Sequence, residues 1–453
     1  MVATDGKSLR EATPRSSQAD LDLPADRDPV AVICEQNETR LPELLGIRTQ
    51  RLAESPFSYY RGAAAQMSSD LNAGRSAGPV VLSCADAHLG NFGFFASRER
   101  SLVFDLNDFD EAEYAPFEWD VKRLAASAHL SAQVHGLSEE AGHAAAFASV
   151  KGYQERLAAL MQQTALDRFY AIVDADTMLR AIEARGRGKD KATAKAMKKA
   201  RSRTGEKALK KFATETSDSG LRIVDQPPLT EHFDEAGIDV ETLFAEYRQT
   251  ARTDVMMLLR QFSVADSVLR VVGVGSVGTR CFLVLLSGPG EESMLLQVKE
   301  AQESVVTAFG GQIPFSDRPE GKIISSEGER VVRAQTVLQS VSDPFLGWNT
   351  FNGRDYYWRQ FRDMKGSYDL ATLDATQLES YSRLCGEVLA RAHSQSPEAR
   401  LVVEYLGNSD TFATAVSEWA RKYAEVVTAD HAQLVEAAKS GKYPLLGEWA
   451  EED

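Results

Sequence analysis

Four cysteines in 453 residues, Cys34, Cys84, Cys281 and Cys385, stand far apart and form no C-x-x-C pair. That spacing argues against a disulfide framework and a structural zinc site, and it points to a reducing compartment. No apolar run approaches bilayer-spanning length, and the opening MVATDGKSLREATPRSSQAD has no apolar h-region. The chain therefore reads as cytoplasmic, without a membrane partner. Positive charge is also short: 51 Lys and Arg face 66 Asp and Glu, a net charge of −15. A nucleic-acid coat is disfavoured, and no specific nucleic-acid partner is expected. The histidines show no metal-ligand spacing, and no Ser/His/Asp set, nucleophile elbow or internal repeat is present.

What the chain does have is the makeup of a folded protein, 43% hydrophobic and 26% charged, at a length beyond one ordinary domain. Residues 1–28 are polar and proline-punctuated, so a mobile or loosely docked arm is expected. Helical signals run through Leu41–Leu52, Ser55–Leu71, Phe117–Val134 and Ser138–Leu160. Between Arg185 and Lys211 lies a strongly basic stretch, RGRGKDKATAKAMKKARSRTGEKALKK. Its first reading is a solvated helical arm or a poorly ordered insert; its second is a patch that steers phosphate or acidic substrates. Residues 268–301 are Val- and Leu-rich with a glycine cluster, and predict consecutive antiparallel strands. A helix over Glu327–Ser340, strands over Phe345–Phe351 and Asp355–Phe361, and helices over Thr376–Ser394, Asp410–Val427 and Ala432–Lys439 complete an α+β pattern.

The chemistry concentrates in residues 80–110, VVLSCADAHLGNFGFFASRERSLVFDLNDFD. An apolar run ends in a polar loop carrying Asp86, His88 and Asn91. Two further apolar runs lead to carboxylates at Asp105, Asp108 and Asp110. Hard oxygen donors held by tight loops suit a Mg²⁺–phosphate site, because Mg²⁺ keeps several waters and needs few protein ligands. Asp and Asn also favour plain turns.

A second cluster lies far downstream. Gly273-Val-Gly275-Ser276-Val-Gly278 sits between two strand-like runs, where its backbone N–H groups can face phosphate oxygens, although glycines also serve ordinary hairpins. A strand follows instead of a helix, which argues against a dinucleotide fold. The next strand ends at Lys299 in LLQVKEA, and a lysine in an apolar strand needs a partner or a ligand. Glu329 is the first candidate to hold it, with Glu303 second.

Taken together, Asp86-x-x-x-x-Asn91, Asp108-Phe109-Asp110, the Gly273–Gly278 loop and Lys299 resemble the protein-kinase-like superfamily, especially its aminoglycoside and choline kinase-like branch. SPFSYYRGAA, DAHLGNFG, FDLNDFDE, FEWDVKRLAAS and LQVKEA are similar, over most of residues 29–440, to a bacterial family known only as a domain of unknown function. The kinase resemblance implies a two-lobed fold with a small antiparallel sheet lobe and a large helical lobe. It implies ATP and Mg²⁺ as cofactors, and a nucleotide and a small-molecule acceptor as partners. By that resemblance Asp86 is the catalytic Asp, Asn91 and Asp108 bind metal with Asp105 as the rival, and Asp120 braces the catalytic loop. Gly273, Gly275, Ser276, Gly278 and Lys299, with Glu329, would hold the nucleotide. The sequence departs from the pattern twice. Cys84 stands where a His is expected, and Asp86 precedes the glycine loop instead of following it, so the segments are in permuted order.

The implied organisation is a 1–28 arm; residues 29–160 with the catalytic and metal loops; a 161–265 helical insert; a 266–365 nucleotide-gripping sheet; and 366–453 as C-terminal helices. The first functional expectation is an ATP- and Mg²⁺-dependent phosphotransferase, or a variant transferring AMP. The second is a catalytically silent nucleotide-binding or interaction protein. An acidic pocket would favour a cationic or neutral acceptor. His88 contacts phosphate or holds its loop, and Asp110 and Glu111 bind a second metal or are solvated. Arg61 and Arg123 pair with carboxylates structurally, and His393 is packed. If the two clusters form one site, Lys299 Nζ and the Asp108 carboxylate face one cleft. A separation beyond ~15 Å, more than a triphosphate and its metal bridge, refutes it.

Overall fold

The computed structural model describes residues 5–186, 190–216, 220–232, 239–271, 273–314 and 324–449. It is an α+β fold with a helical body and one main sheet. Short hairpin-like pairs lie beside the body. β1 (Val80–Ser83) pairs antiparallel with β4 (Glu113–Pro116), and β2 (Phe92–Ala96) with β3 (Leu102–Leu106). In the insert, β5 (Ala213–Thr216) pairs with β6 (Gly220–Ile223). The main sheet comprises β7 (Thr230–Glu231), β8 (Ser263–Arg270), β9 (Cys281–Ser287), β10 (Ser293–Ala301), β11 (Gly347–Phe351) and β12 (Arg354–Gln360). Its order is β11-β12-β10-β9-β8-β7, antiparallel throughout.

Side chains alternate across a strand, so a strand that is apolar at every position must be covered on both faces. β9 is such a strand. Phe282, Val284 and Leu286 point into a core with Phe244, Tyr247 and Trp358, where Tyr247 stacks on Trp358 at 4.5 Å. Leu283 and Leu285 point the other way, into a cluster with Ala208, Phe212 and Phe361. The second cluster belongs to the basic insert, which corrects the reading of a solvated arm. Helices Lys191–Arg201 and Gly205–Phe212 keep their lysines outward, but Met197, Ala200, Ala208 and Phe212 are buried. Residues 187–189 of that stretch lie outside the described residues.

The arm expected over 1–28 is docked from Asp5 onward. Asp5 caps the Gly6–Ala12 helix, and Arg15 donates to the Leu406 carbonyl at 2.6 Å. Arg27 joins Asp70 at 2.8 Å and also pairs with Asp430. The two helices expected over Asp410–Val427 and Ala432–Lys439 are one continuous helix, Thr411–Lys439. The intervening Thr-Ala-Asp-His contains neither Gly nor Pro to stop it.

The body is built on helices Phe117–Val134, Glu139–Met161, Ala375–His393 and Thr411–Lys439. Acidic first turns favour the starts of the first two. The third begins with a capping box made by Asp374 and Gln377. Its close approach to Glu139–Met161 depends on two glycines. A Cβ on Gly386 would stand 1.9 Å from the Ser149 carbonyl, and one on Gly152 would stand 2.3 Å from the Arg383 carbonyl. Alanine in a helix is ordinarily an improvement on glycine. Here Gly386→Ala is expected to destabilise by about 1–3 kcal/mol, the cost of overpacking, read by urea unfolding.

Candidate functional site

The 84–91 loop leaves β1 through Ala85, a non-glycine residue at φ 58°. Such a conformation persists only where surrounding contacts hold it, and it turns Asp86 inward. Asn91, ending a short turn of 3₁₀ helix, donates to the Asp86 carbonyl at 2.7 Å and to its Oδ2 at 2.9 Å. Arg123 grips Oδ1 through Nε at 2.6 Å and Nη2 at 2.5 Å. Burial lifts the Asp86 carboxyl to about 6 against the opposing charge of Arg123. His88 Nδ1 accepts from Gly90 N at 3.0 Å. Burial, then the charges of Arg61 and Arg123, push its pKa far down, so the ring is neutral with its proton on Nε2. Nε2 lies 3.6 Å from Asp86 Oδ2.

Behind the loop, Asp120 Oδ2 accepts from Cys84 N at 3.0 Å and from His393 Nε2 at 3.0 Å. His393 Nδ1 meets the Tyr153 hydroxyl at 3.0 Å. Tyr153, His393 and Asp120 thus brace the backbone just ahead of Asp86.

The carboxylates after β2 part company. Asp105 lies on β3, is fully buried, and accepts from Ser340 N at 2.7 Å and Ser340 Oγ at 2.6 Å. It caps the chain after the Glu327–Leu338 helix and lines neither half of the cavity, so it is withdrawn as a metal candidate. Asp108 lies 3.7 Å from Lys299 Nζ, and its Oδ1 is buried without a hydrogen-bond donor. Asp110 pairs with Lys299 and accepts from the Tyr357 hydroxyl. Burial works against ionising Asp110, but Lys299 and these hydrogen bonds hold its pKa below the usual range. Lys299 also sits 5.5 Å over the Tyr357 ring.

Glu329 is not the partner of Lys299. Its carboxylate accepts from Ser325 N at 2.9 Å and pairs with Arg333 at 2.6 Å. The neighbouring Arg330 instead reaches the carbonyls of Asp110 and Ala112 and so pins the carboxylate loop to the helix. In the glycine loop, Gly273 (φ 63°), Gly275 and Ser276 line the cavity, and Ser276 Oγ lies 3.4 Å from Asp110 Oδ2. Gly278 does not line it. Its φ of 88° and the Arg40 side chain, 3.0 Å from where a Cβ would stand, make it a packing glycine.

Two connected cavities share Arg61, Asn91, Asp108, Gly273 and Ser276. The smaller, about 90 Å³, is lined by Asp86, His88, Asp110, Glu111 and Glu300 with Arg40 and Arg61. It is acidic. The larger, about 460 Å³, runs under β10 and β12 past Lys299, and the charged part of its lining is mostly cationic, Arg359 and Lys365 among it. Among the described residues no three His, Cys, Asp or Glu side chains are placed to hold a metal ion. Asn91 and the Asp108 oxygen that accepts no hydrogen bond fit the lesser demand of Mg²⁺ bound chiefly by phosphate and water.

Residues 40–437 match the profile of DUF2252, described as an uncharacterized protein conserved in bacteria. The chain belongs to this family. No curated protein and no solved structure matches it. The DUF2252 match takes in the lining of both cavities from Arg40 through Ser367, leaving out Gln36. Sequence reasoning missed Arg40, Glu300, Arg359 and Lys365. Glu300 follows Lys299 directly, and FRDMK after β12 is dense in charge; both were visible as charge next to apolar strand.

Glu111 also lies in the acidic cavity, and burial raises its carboxyl to about 7. Asp86 and Glu111 therefore hold protons in the folded state that the unfolded chain releases near pH 4. Their contribution to stability is complete below about pH 4 and is lost as pH rises through 6 and 7. Glu111→Gln is expected to flatten the fall in unfolding free energy between pH 5 and 8, measured by urea titration at several pH values. An unchanged slope refutes the assignment.

Proposed function

We propose that this chain is an ATP- and Mg²⁺-dependent phosphotransferase on a protein-kinase-like scaffold with its lobes in permuted order, acting on a small-molecule acceptor. One observation carries the reading. Lys299 and Asp108, far apart in the chain, stand 3.7 Å apart in one cavity. The order of strand β8, glycine turn, β9, turn, and β10 bearing Lys299 supports it, as does the Glu327–Leu338 helix packed on β11 and β12.

In this mechanism the Gly273–Ser276 turn covers the phosphates, and Lys299 binds their oxygens in exchange for Asp110. Asn91 and Asp108 would hold Mg²⁺, which when bound neutralises charge building on the transferred group. Asp86 accepts the acceptor's hydroxyl proton. Its pKa near 6 leaves it ionised at neutral pH yet basic enough to share that proton. Arg123 and Asn91 fix the orientation of the Asp86 carboxylate, with the Nε2–H of neutral His88 3.6 Å away. Asp86, Asp110, Glu111 and Glu300 around the smaller cavity favour a cationic acceptor.

ATP with Mg²⁺ at a hundredfold excess over Kd is expected to raise Tm by about 3 °C, a shift set by mass action and chain length. Lys299→Met and Asp108→Asn should each remove most of it. No shift in the parent protein overturns the reading. Binding without ADP release in the presence of acceptors overturns the transferase and leaves a silent nucleotide binder, and pyrophosphate as product reports AMP transfer.

A further inference from the structure

The far end of the larger cavity carries charge that the proposed chemistry does not use. Arg203, Arg270, Arg362 and Lys365 line it, with Arg359 in the same lining. Its two other carboxylates are engaged elsewhere. Asp363 pairs with Arg100, and Asp343 accepts from Phe345 N at 2.8 Å and Gln360 N at 2.6 Å. Among the described residues, Arg270 donates to Thr230 Oγ1 at 2.6 Å, and Arg359 to Gln297 Oε1 at 3.0 Å and the Asn107 carbonyl at 3.4 Å, all neutral acceptors. Arg270 Nε is buried without a partner.

Two of these side chains are held by aromatic rings. Arg270 and Arg362 both lie over the Phe212 and Phe361 rings, at 4.7–5.4 Å. Arg203 comes from the basic insert, whose chain is tied to the linker by Met364 N donating to the Arg203 carbonyl at 2.8 Å. The linker is held from the other side by paired hydrogen bonds between Gly366 and Phe94, at 2.7 and 3.0 Å. Arg362 and Met364 occupy left-handed backbone, φ 47° and 51°, a strain met at ligand clamps. Like charges repel here: the charge of Arg359, then burial, push Lys365 down to about 7. In a chain of net charge −15, a cavity end where cations outnumber carboxylates that are themselves engaged suits an anion supplied from outside.

The geometry points to a second phosphate subsite at this end of the cavity, formed by Arg203, Arg362 and Lys365 with Arg270, and separate from the reactive phosphate that Lys299 would hold. Paired guanidinium groups suit phosphate oxygens. The group would be either a phosphate on the nucleotide's sugar or the distal unit of a polyphosphate chain. The inference rests on the proposed function only for what occupies the Lys299 end.

Isothermal titration at fixed ionic strength separates the sources. A sugar phosphate makes adenosine 3′,5′-bisphosphate bind at least tenfold tighter than AMP. A chain makes tetrapolyphosphate bind at least tenfold tighter than pyrophosphate. Arg203→Gln with Arg362→Gln should abolish that preference and leave AMP and pyrophosphate unchanged, with Lys365→Gln as an independent variant should the pair misfold. Equal affinity within both pairs overturns the subsite, as does a preference that survives the substitutions. A chain that keeps the preference but shows no ATP·Mg²⁺ binding retains the subsite and loses the phosphotransferase reading. ATP·Mg²⁺ binding without the preference does the reverse.

Discussion

A single buried amine joins the two halves of this molecule. Lys299 is 3% exposed on the central strand of the sheet, and its charge is met by Asp110 and Asp108 from the loop after β3. A lysine so placed is costly unless paired, and the carboxylates are equally costly without it. Each half therefore stabilises a charge that the other needs. Arg330 adds the backbone of the same loop to the bargain by reaching the Asp110 and Ala112 carbonyls. The glycine turn on the far side of the cavity is held by the 40–51 segment, where Arg51 donates to the Gly273 carbonyl at 2.6 Å and Leu41 N to the Gly278 carbonyl at 2.8 Å.

The junction also divides the cavity by charge. On one side Asp86, Asp110, Glu111 and Glu300 gather; on the other, arginines under the sheet. Burial keeps Asp86 near 6 and Glu111 near 7, while it drives His88 to the neutral form. Desolvation thus acts in opposite senses on acids and bases within a few ångströms. The outcome is a pocket with carboxylates at one end and guanidinium and ammonium groups at the other.

Much of this was legible from local pattern. The helix over Phe117–Val134, the strands around the glycine cluster and the α+β class follow from periodicity that burial enforces on both sides of β9. Asp86, Asn91, Asp108, Lys299 and the first glycines converge as residue type and spacing suggested. What failed depends on partners that a linear reading cannot supply. Asp105 differs from Asp108 only in facing Ser340. Glu329 sits one residue from Arg330, and a quarter-turn of helix decides which of them meets the carboxylate loop. The basic insert looked solvated because its charges outnumber its apolar residues, yet Phe212 and Ala200 lie on the faces that pack.

That insert has a kinematic consequence. The chain passes from helical body to sheet through the insert and returns through the linker after β12, and Met364 N bonds to the Arg203 carbonyl where the passages meet. Between these passages the chain meets the body once more, where the Val305–Ala308 helix after β10 packs on the Ala64–Ala73 helix. The sheet is therefore tied to the body beside both cavities, near Ala64 at the smaller and near Arg203 at the larger. Ties at both places resist the sheet swinging off the body as a whole, and leave adjustment of the cavity mouth to its turns and side chains.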